Sequence, residues 1–126
     1  MKFLLDTHIL LWWLDANPQL PESAIGAIRD PENTIFVSAV SLWEIWLKHS
    51  LGKLRLPATF LERLAAEQFE SLPLTAAQTQ HVGQLPWVHR DPFDRMLVAQ
   101  AQAENMLLLT ADEVLTGYGA AVRVAS

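Results

Sequence analysis

Short apolar segments typical of β-strands alternate with amphipathic, helix-like segments along most of the chain. No other feature of the sequence limits the possible folds as strongly. Such alternation favours right-handed strand–helix–strand units, in which the strands are parallel and helices cover both faces of the sheet. The sequence therefore predicts an α/β fold, a three-layer sandwich with a central, mostly parallel sheet flanked by helices. Strands are predicted over residues 2–6, 34–37, 69–74, 106–109 and 120–124.

Several of the predicted helices have clear start and stop signals. Ser38 is a suitable N-cap for a long helix that Gly52 ends. Asp91 and Pro92 start another helix, because proline is favoured at the first helical position, and this helix extends to about residue 105. The remaining helices are predicted over residues 7–14, 22–29, 57–68, 75–84 and 110–115.

The chain has 126 residues, which suits a single domain spanning residues 1–126. It has no cysteine, which excludes disulfides, thiolate zinc sites and a cysteine nucleophile, and suits a reducing cytoplasm. No apolar segment approaches the roughly 20 residues of a membrane span. Asp6 and His8 interrupt the apolar N-terminus and no cleavage site follows, which argues against a signal peptide. We therefore expect a cytoplasmic protein without a membrane partner.

The formal net charge of the chain is −5. Overall charge therefore argues mildly against a nucleic-acid partner, because proteins that bind nucleic acids are usually basic. A pocket that binds cations also contributes an acidic excess. The positions of the acidic residues decide between these two interpretations.

Four acidic residues lie near predicted strand ends or helix starts, where parallel α/β sheets bind their ligands. Asp6 ends the first strand, Asp112 follows the fourth, Asp94 lies in the first turn of a helix, and Glu44 lies about two turns into the helix after the second strand. Asp6 and Glu44 are surrounded by apolar sequence, and a buried carboxylate without a partner is costly. A basic side chain, a shared proton or a divalent cation would each reduce that cost. Because Mg²⁺ and Mn²⁺ prefer carboxylate oxygens, we interpret the four acids as a hard-cation site.

Each acid also has a purely structural explanation. Asp6 is able to cap the first helix, and Glu44 is able to pair with Lys48 four residues later. Asp94 complements a helix dipole, and Asp112 lies within a sequence typical of a capping box. A cation site requires all four side chains to converge.

Three segments resemble the PIN domains of VapC-type toxins: LLDTHILLWWL, SAVSLWEIWLKHSLGKLRL and HRDPFDRMLVAQAQAENMLLLTAD. The resemblance extends from Phe3 to Asp112 and is closest to the branch that carries the HRDPFDR segment. It implies a PIN-like fold and a metal-dependent endoribonuclease that uses Mg²⁺ or Mn²⁺ and leaves a 5′-phosphate and a 3′-hydroxyl. In that family, acids at the positions of Asp6, Glu44 and Asp94 form the metal site, and an acid at the position of Asp112 usually completes it.

The resemblance also indicates four lower-ranked candidate residues for the site and two protein partners. Asp91 matches the family segment but has a structural role as an N-cap, and Thr110 precedes the last acid as it does in relatives. Thr7 or Ser41 matches the polar residue that often stands beside the first acids. The implied partners are a second copy of the chain, giving a homodimer, and a cognate VapB-type antitoxin whose arginine fills the acidic site.

An RNA substrate requires local positive charge despite the acidic balance. One basic group lies at or just after the end of the helix that carries Glu44: Lys48, His49, Lys53 and Arg55. A second group, His89, Arg90 and Arg95, flanks the acids of the HRDPFDR segment. A solvated surface is the alternative for the first group. Trp87 is expected either to stack on an unpaired base or to pack in the core.

Two other functions compete with the nuclease. A phosphatase with Asp6 as a covalent nucleophile would need a second acid close by and a late lysine, but no lysine follows Lys53. A catalytically inactive PIN-like module that binds RNA or protein would use its acids only to cap helices. The four histidines lack the spacing of zinc ligands on a helix, so they do not indicate a zinc site. The identity of the RNA is not encoded in any motif.

Overall fold

Five strands form one sheet in the order β3-β2-β1-β4-β5, and every neighbouring pair is parallel. The computed structural model describes all residues, 1–126. The strands are β1 Lys2–Leu5, β2 Thr34–Ser38, β3 Glu70–Leu72, β4 Leu107–Thr110 and β5 Val122–Val124. Along the chain, β2 pairs with one edge of β1, and β3 pairs with β2. The fourth strand, β4, then pairs with the other edge of β1, and β5 pairs with β4. The topological switch point, where open α/β sheets bind ligands, therefore lies between β1 and β4.

Helices cover both faces of this sheet, so the predicted three-layer α/β sandwich is confirmed. Phe3 and Leu5 belong to one core cluster, whereas Leu4 belongs to a second, because successive strand residues point to opposite faces. The helices are α1 Thr7–Leu14, α2 Glu22–Arg29, α3 Ala39–Ser50, α4 Phe60–Ala66, α5 Ala76–Val82 and α6 Pro92–Ala103, with a 3₁₀ helix over Glu113–Tyr118. None of them combines the length and the apolar character that crossing a bilayer requires.

The helix predicted over residues 110–115 is wrong in its start. Thr110 is still part of β4, since it pairs with Val124 and its carbonyl accepts the N–H of Ala125 at 2.7 Å. Asp112 then caps the 3₁₀ helix by accepting the N–H of Val114 at 3.0 Å. Pairing with the last strand therefore extends β4 and places Thr110 at its carboxyl end.

Candidate active site

Asp6 lies at the junction of β1 and α1, beside the switch point of the sheet. Its backbone N–H continues the pairing with β4 by donating to the carbonyl of Leu109 at 3.0 Å. One carboxylate oxygen, Oδ1, caps α1 by accepting the N–H of His8 at 2.9 Å. The other, Oδ2, accepts the hydroxyl of Thr110 at 2.5 Å. The carboxylate is buried, so both of its oxygens are held in defined positions.

Thr110 links the first and the last of the four predicted acids. While its hydroxyl donates to Asp6, the same oxygen accepts the backbone N–H of Asp112 at 3.0 Å. Thr110 is fully buried at the end of β4. The expected orienting role of Thr110 thus has a geometric basis.

Glu44 has a buried side chain on α3, and its two oxygens differ. Oε2 pairs with the ammonium of Lys48 at 2.5 Å, as the i,i+4 spacing predicted. Oε1 is buried without any hydrogen-bond partner, and no other buried side-chain oxygen or nitrogen lacks one. Such an orphaned anionic atom is costly in a folded protein unless a cation or a donor joins it.

Asp94 lies in the first turn of α6, where the Oδ1 of Asp91 caps the helix by accepting the N–H of Asp94 at 3.0 Å. Burial raises the pKa of Asp94 to about 7, with further upward contributions from the negative charges of Asp6, Asp91, Glu44 and Asp112. The pKa of Asp6 is also raised, mainly by burial, although the hydrogen bonds from Thr110 and His8 oppose the rise. The negative charges of the other acids thus act on Asp94, and one ligand atom each from Asp94, Asp112 and His89 lie within 4.8 Å of one another.

His89 contacts the acids of this site, whereas the sequence indicated it only as one of the basic residues that flank Asp91 and Asp94. Its Nε2 lies 3.3 Å from Oδ2 of Asp112 and 3.8 Å from Oδ2 of Asp94. Its Nδ1 accepts the backbone N–H of Asp91 at 3.0 Å, so the neutral ring carries its proton on Nε2, facing the acids. In this arrangement His89 donates to the carboxylates. The spacing between the histidines gives no sign of this contact, whereas the position of His89 two residues before Asp91 does.

The donor set fits a hard divalent cation. Four carboxylates, namely Asp6, Glu44, Asp94 and Asp112, supply oxygens of the kind that Mg²⁺ and Mn²⁺ prefer. The unpartnered oxygen of Glu44 and the raised pKa of Asp94 both indicate negative charge that the protein alone does not neutralise. Asp6 also caps α1 and Glu44 pairs with Lys48, as predicted. The capping box predicted around Asp112 is wrong, because Thr110 belongs to β4 and Asp112 itself caps the 3₁₀ helix.

Comparison with known proteins places this arrangement in a family. The sequence profile of the PIN domain matches residues 3–120. The chain belongs to the PIN domain family. Over 118 residues this PIN domain is 28% identical to Ribonuclease VapC22 of Mycobacterium tuberculosis, a match that covers 91% of this chain and 90% of that protein. The finer assignment to the branch with the HRDPFDR segment stays a prediction.

Solved structures with the same fold support the PIN-like architecture. VapBC2 from Rickettsia felis, solved bound to a DNA fragment from their promoter, matches with a TM-score of 0.78 at 19% identity over 100% of both chains. A toxin–antitoxin complex from Klebsiella pneumoniae matches with a TM-score of 0.65 at 18% identity, over 96% of this chain and 95% of that one. At these identities the similarity concerns the fold.

Thr7 and Ser41 form a buried contact between two helices of the PIN domain. The hydroxyl of Thr7 donates to the hydroxyl oxygen of Ser41 at 3.0 Å. Thr7 directly follows Asp6 on α1, and Ser41 lies one turn before Glu44 on α3. The pair therefore fixes the spacing of the two helices that carry these acids.

The basic residues predicted to contact RNA have different surroundings. Lys53, Arg55 and Arg90 are exposed. Lys48 lies at the acidic cluster itself, where its hydrogen bond to Glu44 raises the pKa of its ammonium.

Arg95 was wrongly predicted to contact RNA. It is buried, and its guanidinium donates to the carbonyls of Val82, Leu85 and Pro86 and to the hydroxyl of Tyr118. These partners satisfy the guanidinium inside the fold, so no phosphate can reach it. The sequence could not reveal this because the α6 position of Arg95 turns its side chain towards the loop before the helix.

Proposed function

We propose that this PIN domain is a metal-dependent endoribonuclease and the toxin component of a VapBC-type toxin–antitoxin pair. The observation that carries the proposal is the unpartnered, buried oxygen of Glu44, on a residue whose charge acts on the buried Asp94 together with those of Asp6 and Asp112. The names of its relatives support it, since one is a ribonuclease VapC22 and others are VapBC complexes.

In this proposal Asp6, Glu44, Asp94 and Asp112 hold one or two Mg²⁺ or Mn²⁺ ions. A bound cation lowers the pKa of a water molecule and neutralises charge on the scissile phosphate. Thr110 keeps Asp6 and Asp112 at a fixed separation, and Asp91 holds the first turn of α6 so that Asp94 faces the other acids. Asp94 and Glu44 are the candidates for accepting a proton from the attacking water.

The exposed residues Lys53, Arg55 and Arg90 are proposed to contact phosphates of the RNA. Contacts of this type need only local positive charge, so they are compatible with a net charge of −5. Binding that relies on them weakens steeply as salt concentration rises.

An antitoxin segment is proposed to bind the groove between α1 and α4, which has a volume of about 270 Å³ and is lined mainly by apolar residues, among them Leu11, Trp12 and Phe60. His8, Leu11 and Leu54 line both this groove and a recess that reaches Glu44 and Lys48. A peptide in the groove would therefore be able to place an arginine at the acidic cluster, where a guanidinium matches carboxylates well.

A homodimer is also proposed, because a stripe of apolar side chains is exposed along α3 and at the residue that follows its end. Trp43, Trp46, Leu47 and Leu51 are all exposed, at spacings that put them on one side of the helix. Aromatic residues on such a surface are typical of protein interfaces.

The deciding experiment is cleavage of an end-labelled pool of cellular RNA by the purified protein with Mg²⁺, with Mn²⁺ and with a chelator. The matched control is Asp6→Asn, which keeps an oxygen that can cap α1 but removes the charge. Discrete cuts that require metal and disappear in the variant are expected. Metal-independent cutting, or full activity of the variant, would refute the assignment of the site.

The rival function is an inactive PIN-like module that binds RNA or protein. It predicts neither cleavage nor metal binding. Isothermal titration with Mn²⁺ separates the two, because the nuclease site should bind the ion even when the supplied RNA is not a substrate.

A further inference from the structure

Trp87 is the most exposed of the large apolar side chains, with 77% of its surface accessible. It lies between α5 and α6, in the loop that leads into the HRDPFDR segment. Burial of a tryptophan usually stabilises a fold substantially, so a ring left in solvent contributes little to the core. The alternative that Trp87 packs in the core is therefore wrong.

The guanidinium of Arg95 packs against one face of this exposed ring. The guanidinium carbon lies 3.7 Å from the ring centroid, which is a close cation–π contact. Because four hydrogen bonds to the protein hold the guanidinium, the ring rests on a rigid surface. One face of the indole is thus fixed against Arg95, and the high exposure leaves the opposite face open.

The loop that carries Trp87 also carries a residue of the candidate site. Arg95 directly follows Asp94 in α6, and His89, two residues after Trp87, contacts both Asp112 and Asp94. Two residues of extended chain span at most about 7 Å. The backbones of Trp87 and His89 are therefore close together, and the exposed Arg90 adds positive charge to the same loop.

We infer that Trp87 stacks on an unpaired base of the bound RNA, so that this one side chain contributes directly to the affinity for a single strand. The inference rests on the proposed nuclease function. An aromatic face combined with local positive charge is the arrangement that proteins use to bind single strands, because every base has a face to stack. A base inside a duplex is already stacked and paired, so it does not reach this ring.

The test measures RNA binding in the Asp6→Asn background, which binds without cutting. The probes are a fluorescent single-stranded RNA of about 12 nucleotides and a blunt duplex of the same sequence, followed by anisotropy. Trp87→Ala is compared with Trp87→Phe, which keeps an aromatic face, and with Leu61→Ala, which removes another exposed apolar side chain on α4. Size-exclusion chromatography of each variant reports the oligomeric state.

Trp87→Ala should weaken binding of the single strand at least about fivefold, while Trp87→Phe and Leu61→Ala stay within about twofold. Duplex binding should be the same in all variants. An abasic nucleotide placed opposite the ring removes the base on which the ring would stack. It should therefore abolish the difference in affinity between the protein that retains Trp87 and the Trp87→Ala variant.

Unchanged single-strand affinity in Trp87→Ala, or an equal loss for the duplex, would overturn the inference. A shift of Trp87→Ala to a smaller oligomer would also overturn it, because the ring would then be a protein contact. Failure of the proposed function has a different result: the unsubstituted protein would not cut RNA with either metal ion, whatever its affinity for the single strand. Efficient cutting by Trp87→Ala at unchanged sites would overturn the stacking role alone.

Discussion

At the scale of single residues, the acids of the site divide their oxygens between structure and function. Oδ1 of Asp6 and Oδ1 of Asp112 each cap a helix, whereas their Oδ2 atoms face Thr110 and His89. A cap limits where a side chain can point, so it positions the remaining oxygen before any ligand arrives. The capping roles suggested by the sequence are therefore part of how the site is built.

Thr110 offers a sharp test of this positioning. Thr110→Val has nearly the same shape but removes the hydroxyl that joins Asp6 to the backbone of Asp112, so we expect RNA cleavage to fall about tenfold to a hundredfold. Leaving the N–H of Asp112 unpaired should also lower the free energy of unfolding by about 1–3 kcal/mol. Initial cleavage rates and urea unfolding measure the two effects. Thr110→Ser keeps the hydroxyl and should recover most of the rate; equal activity of the Val and Ser variants would contradict the proposed role.

At the scale of elements, the periodic pattern was enough to predict the five strands and the main helices. Their ends were harder to predict because they depend on distant partners: Thr110 stays in β4 only because β5 pairs with it. The same limit applies to the site. Strand ends indicated the acids, but the direction of each basic side chain depends on packing, which is why Arg95 was misassigned and the contact of His89 with the acids was missed.

Lys48 provides a prediction at this scale, since its place one turn after Glu44 on α3 puts a positive charge at the cluster. Lys48→Met keeps most of the aliphatic chain and removes the charge that repels a divalent ion. Mg²⁺ affinity should therefore rise about fivefold, as measured by isothermal titration. Lys53→Met, on the exposed segment after α3, is the matched control and should change the affinity less. Weaker Mg²⁺ binding in Lys48→Met would mean that Lys48 orients Glu44 for the ion.

At the scale of the whole molecule, the clustered carboxylates lower the stability of the folded protein while they form the candidate cation site. The fold holds like charges close together at the switch point of its sheet, and only part of that charge is balanced by Lys48. Folding is therefore sensitive to both protons and divalent ions.

The proton dependence follows from the pKa of Asp94, which is about 7 in the folded protein against an ordinary value of 3.8. The folded state binds more protons between these values, so the contribution of Asp94 to the unfolding free energy falls as pH rises from about 4 to about 7. In chelator, Asp94→Asn should therefore be more stable than the unsubstituted protein at pH 8, and this advantage should shrink towards pH 4. Thermal unfolding across this range measures it. A difference that does not vary with pH would contradict the raised pKa.

Divalent ions should have the opposite effect on the unsubstituted protein. A ligand that binds only the folded state stabilises it by mass action, by about 2.7 kcal/mol at a concentration one hundred times the dissociation constant. Mn²⁺ at pH 8 should thus raise the unfolding temperature of the unsubstituted protein and do so much less in Asp6→Asn. An equal rise in both proteins would place the bound ion elsewhere on the molecule.

The hydrogen bond between Thr110 and Asp6 joins residues 104 positions apart. It forms only after β4 has been inserted beside β1, and β4 is the fourth of the five strands along the chain. A nascent polypeptide still lacking β4 therefore has no complete acidic centre, and neither does a prematurely terminated one.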